Sequence, residues 1–283
     1  MFVSKRFVYL ELHKTGSSHI RSILKDLLDG KAVGKHNQAT SDLFVDERVF
    51  LGSIRDPWEW YISLWGYGCD NKGALFGNVT KPRKLYIRGL GWSRNPYAAF
   101  LQSFVMFKAW KDSSSKSQAW RDTYSDIDDV NAFRRWLYMM HDEKFMADIR
   151  EGYRACSVSR VAGLMTFRYL NLFCTKLDEQ NNLNRLSTMK QIMDYDNENC
   201  FIDYFIRNET LELDLFRGLE DYGVELPSEI KAEVLSRPKT NTSSRKNKAE
   251  YYYDKESEKL VAERERLIID KFGYVTPSLR AKT

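Results

Sequence analysis

Near the start of the chain, short apolar runs alternate with turns and with stretches of helical spacing. Phe7 to Leu12 (FVYLEL) is apolar, β-branched and aromatic, the pattern of a buried strand. It passes through His13, Lys14, Thr15, Gly16, Ser17 and Ser18 into a stretch with Ile20, Ile23, Leu24, Leu27 and Leu28 at helical spacing, closed by Gly30. Lys31 to His36 reads as a second short strand or as a loop. Arg48 to Ile54 (RVFLGSI) predicts another buried strand, and Asp56 before Pro57 marks a helix start. The aspartate can cap the helix, and proline fits the first turn because its missing N–H has no helical partner there. Two strand–turn–helix units this close predict an α/β fold, a central parallel sheet flanked by helices.

The remainder is less regular. Gly66 to Asn95, rich in Gly, Asn, Lys and Pro, reads as a long loop or insertion. Tyr97 to Trp110 predicts a helix, Ser113 to Ser117 a polar break, and Val130 to Asp148 another helical stretch. Gly163 to Leu177 fits helix or strand equally. Cys200 to Arg207 predicts a strand, and Leu211 to Tyr222 a helix with Leu211, Leu215 and Leu219 on one face. Arg237 to Lys248 is a polar loop with five basic residues and no acid. Asp254 to Phe272 predicts a final amphipathic helix. Neither an internal repeat nor a low-complexity linker interrupts the chain, so residues 1–283 are expected to form a single domain with inserted helices.

Composition narrows the class. Of 283 residues, 43% are hydrophobic and 29% charged, which calls for a packed core rather than disorder. A net charge of +5 suits an anionic ligand but is too small to argue for nucleic acid. Cys69, Cys156, Cys174 and Cys200 form no CxxC pair and no metal-type spacing, so free thiols and no metal are expected. No window approaches ~18 apolar residues, and the first residues lack a long apolar segment. A cytoplasmic protein without a membrane partner is the resulting expectation.

The turn after the first strand carries chemistry. A helix N-terminus offers unpaired N–H groups and partial positive charge to an anion. Gly16 permits close backbone approach, Thr15, Ser17 and Ser18 add hydroxyls, and Lys14 adds a full charge. The GxxxxGK[ST] pattern of nucleoside-triphosphate loops is absent. HKTGSSHI resembles instead the 5′-phosphosulfate loop of sulfotransferases that use 3′-phosphoadenosine 5′-phosphosulfate (PAPS). Family members often have proline before the lysine; this chain has His13. VFLGSIRDPWEWYISLW resembles the family's 3′-phosphate segment, with Arg55 at the strand end and Ser63 eight residues later. CFIDYFIRNETLELDL and NTSSRKNKAEYYYD resemble the C-terminal portion of microbial carbohydrate sulfotransferases, where a basic loop closes over the nucleotide.

The resemblance covers about residues 5–66 and 200–275. It implies a P-loop NTPase-like sulfotransferase architecture, with residues 67–199 as a substrate-side insertion. It also implies a metal-free transfer from PAPS to a hydroxyl acceptor, a carbohydrate or other small molecule, leaving 3′-phosphoadenosine 5′-phosphate (PAP). Lys14, Thr15, Gly16, Ser17 and Ser18 would bind the 5′-phosphate. Arg55 and Ser63 would bind the 3′-phosphate, and Ser244, Arg245 and Lys246 would belong to the basic loop that closes over the nucleotide phosphate. His36 follows the first helix where several family members place a catalytic His or Glu, and is the first choice of base; His13 is second and Glu11 third. The rival readings are a non-catalytic nucleotide binder and an atypical phosphotransferase.

Overall fold

The computed structural model describes residues 1–44, 47–82, 96–237, 245 and 247–280. Five strands form one sheet: β1 (Phe2–Ser4), β2 (Phe7–Leu10), β3 (Gly30–Ala32), β4 (Val49–Ile54) and β5 (Tyr204–Arg207), in the order β3-β1-β2-β4-β5. β2, β4 and β5 are parallel, with Leu10 opposite Gly52 and Ile54 opposite Arg207. β1 runs antiparallel to both β2 and β3, so the sheet is mixed rather than wholly parallel. The reason is local: only Lys5 and Arg6 separate β1 from β2, and a connection that short can join only antiparallel strands. Ser4 clasps the hairpin, its hydroxyl donating to the Phe7 carbonyl at 3.2 Å and accepting from the Phe7 N–H at 2.9 Å. The strand allowed for between Lys31 and His36 is the short, exposed edge strand β3, and His36 lies four residues beyond its end.

Each parallel strand runs into a helix at its carboxyl end. β2 leads to α1 (Ser17–Leu27), β4 to α2 (Pro57–Cys69), and β5 to the Leu211–Asp221 helix. Asp56 caps α2 as its sequence predicts, accepting from the Glu59 N–H at 3.0 Å, with Pro57 in the first turn. The strands alternate between two cores. Phe7 and Tyr9 pack with Ile20, Ile23 and Leu24 of α1 and with Leu215 and Leu219. Val8 and Leu10 face a larger cluster that includes Trp58, Trp60, Trp65, Trp120 and Trp136. A sheet covered on both faces explains the near-continuous apolar runs of β2 and β4.

The inserted segment is more helical than its sequence suggests. The Pro96–Asp122 helix runs through the expected break at Ser113–Ser117. Those serines lie in a stretch carrying i,i+4 pairs, Lys116–Asp112 at 3.0 Å and Gln118–Asp122 at 2.7 Å. The 130–148 stretch is two helices, Val130–His141 and Glu143–Ile149, separated by Asp142, which caps the second through the Lys144 N–H at 2.8 Å. Gly163 to Leu177 resolves as a helix, Leu164–Phe173. Within Gly66–Asn95, α2 extends to Cys69 and a short helix spans Ala74–Val79; residues 83–95 fall outside the described part. No helix among the described residues is long and apolar enough to cross a membrane.

The expected single helix over Asp254–Phe272 is two, Lys255–Arg264 and Arg266–Phe272, broken at fully buried Glu265. The break has a cause. The Glu265 carboxylate sits at the N-terminus of the Leu164–Phe173 helix, accepting from the N–H groups of Met165 (3.2 Å) and Thr166 (2.8 Å). It also accepts the hydroxyls of Thr166 (2.6 Å) and Tyr61 (2.5 Å). A residue 99 positions away thus does the work of a cap. Gly163 makes the space, because a Cβ there would lie 2.0 Å from Glu265 Oε1.

Glu265→Ala strands four buried donors, each costing about 1–3 kcal/mol when unsatisfied. Urea unfolding of the variant is expected to show a loss of at least about 3 kcal/mol.

Candidate active site

The His13–Gly16 loop lies where β2 meets α1, at the carboxyl edge of the parallel strands, the place where open α/β sheets form their ligand crevices. Two of its four residues are left-handed: Lys14 at φ 62° and Gly16 at φ 76°. Gly16 is required twice over, because a Cβ there would also lie 2.3 Å from the Leu211 side chain. Lys14 has no such freedom and costs roughly 1–3 kcal/mol in this conformation. The second unit holds it: Trp60 Nε1 donates to the His13 carbonyl at 2.6 Å, and Arg55 Nη1 donates to the Lys14 carbonyl at 3.3 Å.

Thr15 serves the core rather than the surface. Its hydroxyl donates to the Leu12 carbonyl at 2.8 Å and shares a hydrogen bond with Ser53 at 2.6 Å, while Ser53 pairs with Tyr9 at 2.7 Å. The expectation that the Thr15 hydroxyl faces an anion is therefore corrected: it is buried and does not line the cleft.

Lys14, Gly16, Ser17, Ser18, His36, Arg55, Ser63 and Arg245 all line one cleft of about 580 Å³. Arg55 ends β4, and Ser63 faces the same space from α2. Arg245 reaches it from the C-terminal loop; Ser244 and Lys246 lie outside the described residues. Among the described residues, six basic side chains line the cleft (Lys14, Lys35, Arg55, Lys72, Arg168, Arg245) against one carboxylate, Glu212. His19 holds that carboxylate at 3.1 Å.

Glu59 lies between the two arginines. It accepts from Arg55 Nη2 at 3.3 Å and from Arg245 Nη2 at 2.6 Å, while Arg245 Nη1 is buried without a hydrogen-bond partner among the described residues. The Lys14 ammonium sits 3.8 Å from the Tyr67 ring centroid. Burial, and then the neighbouring Arg55, push its pKa down to about 8.

The two candidate bases form a unit. His13 and His36 stack with centroids 3.5 Å apart and planes 14° from parallel. Burial lowers both pKa values, with Arg168 adding to the depression. His36 Nδ1 lies 2.7 Å from the Glu11 carbonyl and donates to it, which leaves Nε2 with the lone pair. Glu11, the third candidate, is excluded by its partners: it is fully buried and holds Arg21 at 3.1 Å and the Met1 amine at 2.9 Å. His141 is half-buried against Tyr61 and Arg264 and does not line the cleft.

Arg168 is the contributor that sequence reading misses. It lies inside the stretch that fits helix or strand equally, where its direction cannot be inferred. One signal was present: it is the only charged residue in LMTFRYLNLF, and a lone charge in an apolar helix needs a partner. Away from the cleft, Cys174, Asp196 and Cys200 converge, their donor atoms within 4.8 Å of one another. Asp196 already has a cation, the Lys271 ammonium at 2.8 Å.

Comparison with protein-family models, with curated proteins and with solved structures gives no match. The site is accordingly interpreted from its own geometry.

Because Arg55 depresses Lys14, Arg55→Ala is expected to raise the Lys14 midpoint above about 8, toward the ordinary lysine value. NMR titration of the lysine side chains measures it directly.

Proposed function

We propose that the protein is a sulfotransferase that moves a sulfuryl group from PAPS to a hydroxyl acceptor, on a P-loop NTPase-like sulfotransferase architecture. One observation carries the reading. Two anion-binding elements, the Lys14 loop and the Arg55–Ser63 pair, line a single basic cleft beside a pair of histidines held neutral. A nucleotide with phosphates at both the 5′ and 3′ positions matches two separate anion grips; AMP would use only one.

The N–H groups at the start of α1 and the hydroxyls of Ser17 and Ser18 receive the 5′-phosphate. Arg55 and Arg245 grip the 3′-phosphate with charge-assisted hydrogen bonds, and Ser63 donates from α2. Lys14 neutralises the charge that grows on the departing phosphate oxygen. His36 Nε2 accepts the acceptor's hydroxyl proton as the new oxygen–sulfur bond forms and the bond from sulfur to the 5′-phosphate breaks. PAP leaves with the electron pair. The phosphotransferase reading is less well supported, since Mg²⁺ sites use carboxylates and the one lining carboxylate among the described residues, Glu212, is paired with His19.

Calorimetric titration with PAP, AMP and ATP–Mg²⁺ tests the nucleotide class: tight, metal-independent binding of PAP alone is expected. Preference for ATP–Mg²⁺, or no binding of PAP, overturns the proposal. Arg55→Ala should weaken PAP by roughly 1.5–3 kcal/mol more than it weakens AMP, whose 5′-phosphate uses the loop that Arg55 helps to hold.

His36→Ala should slow transfer by about 10²–10⁴-fold, and Lys14→Ala should abolish turnover while weakening nucleotide binding less. The pH profile follows from the same two groups. His36, lowered by burial, stays deprotonated and competent across neutral pH. Lys14 loses its charge above about pH 8 in the free enzyme, so kcat/KM for the donor should fall on the alkaline side from there. A rate that stays flat to pH 10 would remove Lys14 from this role.

A further inference from the structure

Among the charges of the cleft, Arg168 groups with the histidines rather than with the proposed nucleotide grip. Its guanidinium carbon lies 5.7 Å from the ring centroid of Trp60, the residue that holds the His13 carbonyl, and its charge adds to the lowering of both histidine pKa values. Its guanidinium is held firmly on one edge only. Nε and Nη2 donate to the two oxygens of Glu151 at 2.8 and 2.7 Å. Nη1 is buried and has no hydrogen-bond partner among the described residues, on a side chain only 6% exposed that lines the cleft.

A buried N–H without an acceptor carries its desolvation cost uncompensated, and native structures rarely leave one without a reason. The group that best satisfies a guanidinium edge is an anionic oxygen. No lining carboxylate other than Glu212 competes for it among the described residues, and Glu212 is taken by His19. Lys35, adjacent in sequence to His36, adds positive charge to the same lining.

We propose that Arg168 anchors an anionic group on the acceptor, so that the molecule modified is an acid, carboxylated or already sulfated, rather than a neutral alcohol. The word acceptor rests on the sulfotransfer reading; the anion site itself does not. Glu151 is then a positioning residue: it occupies the Nε–Nη2 edge of the guanidinium and leaves Nη1 for the ligand.

The test compares equilibrium binding of matched probes: methyl glucuronide and methyl glucose 6-sulfate, each against neutral methyl glucoside, with and without PAP. The wild-type protein is expected to bind at least one acid about tenfold or more tightly than the glucoside. Arg168→Gln should bring the acids to within about twofold of it while PAP affinity is kept, and Arg168→Lys should retain part of the preference. Which acid is preferred distinguishes carboxylate from sulfate ester. Equal binding of acid and glucoside by the wild-type protein overturns the proposal whatever the variants do. So does a variant that keeps the acid preference but loses PAPS relative to PAP, because Arg168 would then hold the donor's sulfuryl group. If PAP fails to bind while the acid preference stands, the anion site survives and only the sulfotransfer reading falls.

Discussion

The hydrogen bond from Trp60 Nε1 to the His13 carbonyl, 2.6 Å long, joins two halves of the site that the chain writes separately. The loop belongs to the first strand–turn–helix unit and the tryptophan to the second. With the Arg55 bond to the next carbonyl, it clamps both peptides that flank Lys14, a lysine held in a conformation that glycine would adopt more readily. From the core side, Thr15, Ser53 and Tyr9 form a hydroxyl chain that fixes the same loop to β2 and β4. The loop is thus restrained from two directions, and the first turn of α1 is held facing the cleft.

A second long-range contact serves the helix that carries Arg168. Glu265 breaks its own helix in order to cap another, the Leu164–Phe173 helix on which Arg168 stands. The C-terminal segment therefore contributes to the cleft twice: through Arg245 directly, and through Glu265 by fixing the base of the helix that carries Arg168. Both sides of the cleft depend on residues far from it in the chain, the ordinary condition for an α/β crevice assembled at strand ends.

How much of this is legible in the sequence depends on the range of the interactions involved. The α/β class, the cap at Asp56, and the strands and helices on either side of the loop follow from local pattern, and the structure has them. The Lys14 loop, Arg55, Ser63 and Arg245, grouped in the sequence only by the sulfotransferase resemblance, line one cleft. What is not legible is set by tertiary context. The inward turn of Thr15 needs Ser53 opposite it, and the helix break at Glu265 needs Tyr61 and Thr166. The antiparallel hairpin at Phe2–Ser4 adds an edge that three residues cannot announce. The His13–His36 stack joins residues on two loops, and no spacing along the chain encodes it.

Glu59 has a consequence of its own. It sits between Arg55 and Arg245 and occupies with a carboxylate the position that an incoming anion needs. An anion that took both of these Nη2 groups would have to displace a tethered rival present at high local concentration. Affinity for such a visitor would be capped, and its departure hastened, because the arginines would pass directly to a waiting partner instead of facing bare desolvation. The same carboxylate keeps two like charges together in the empty protein. Residence time at this end of the cleft would then be governed by a residue that need never touch the ligand.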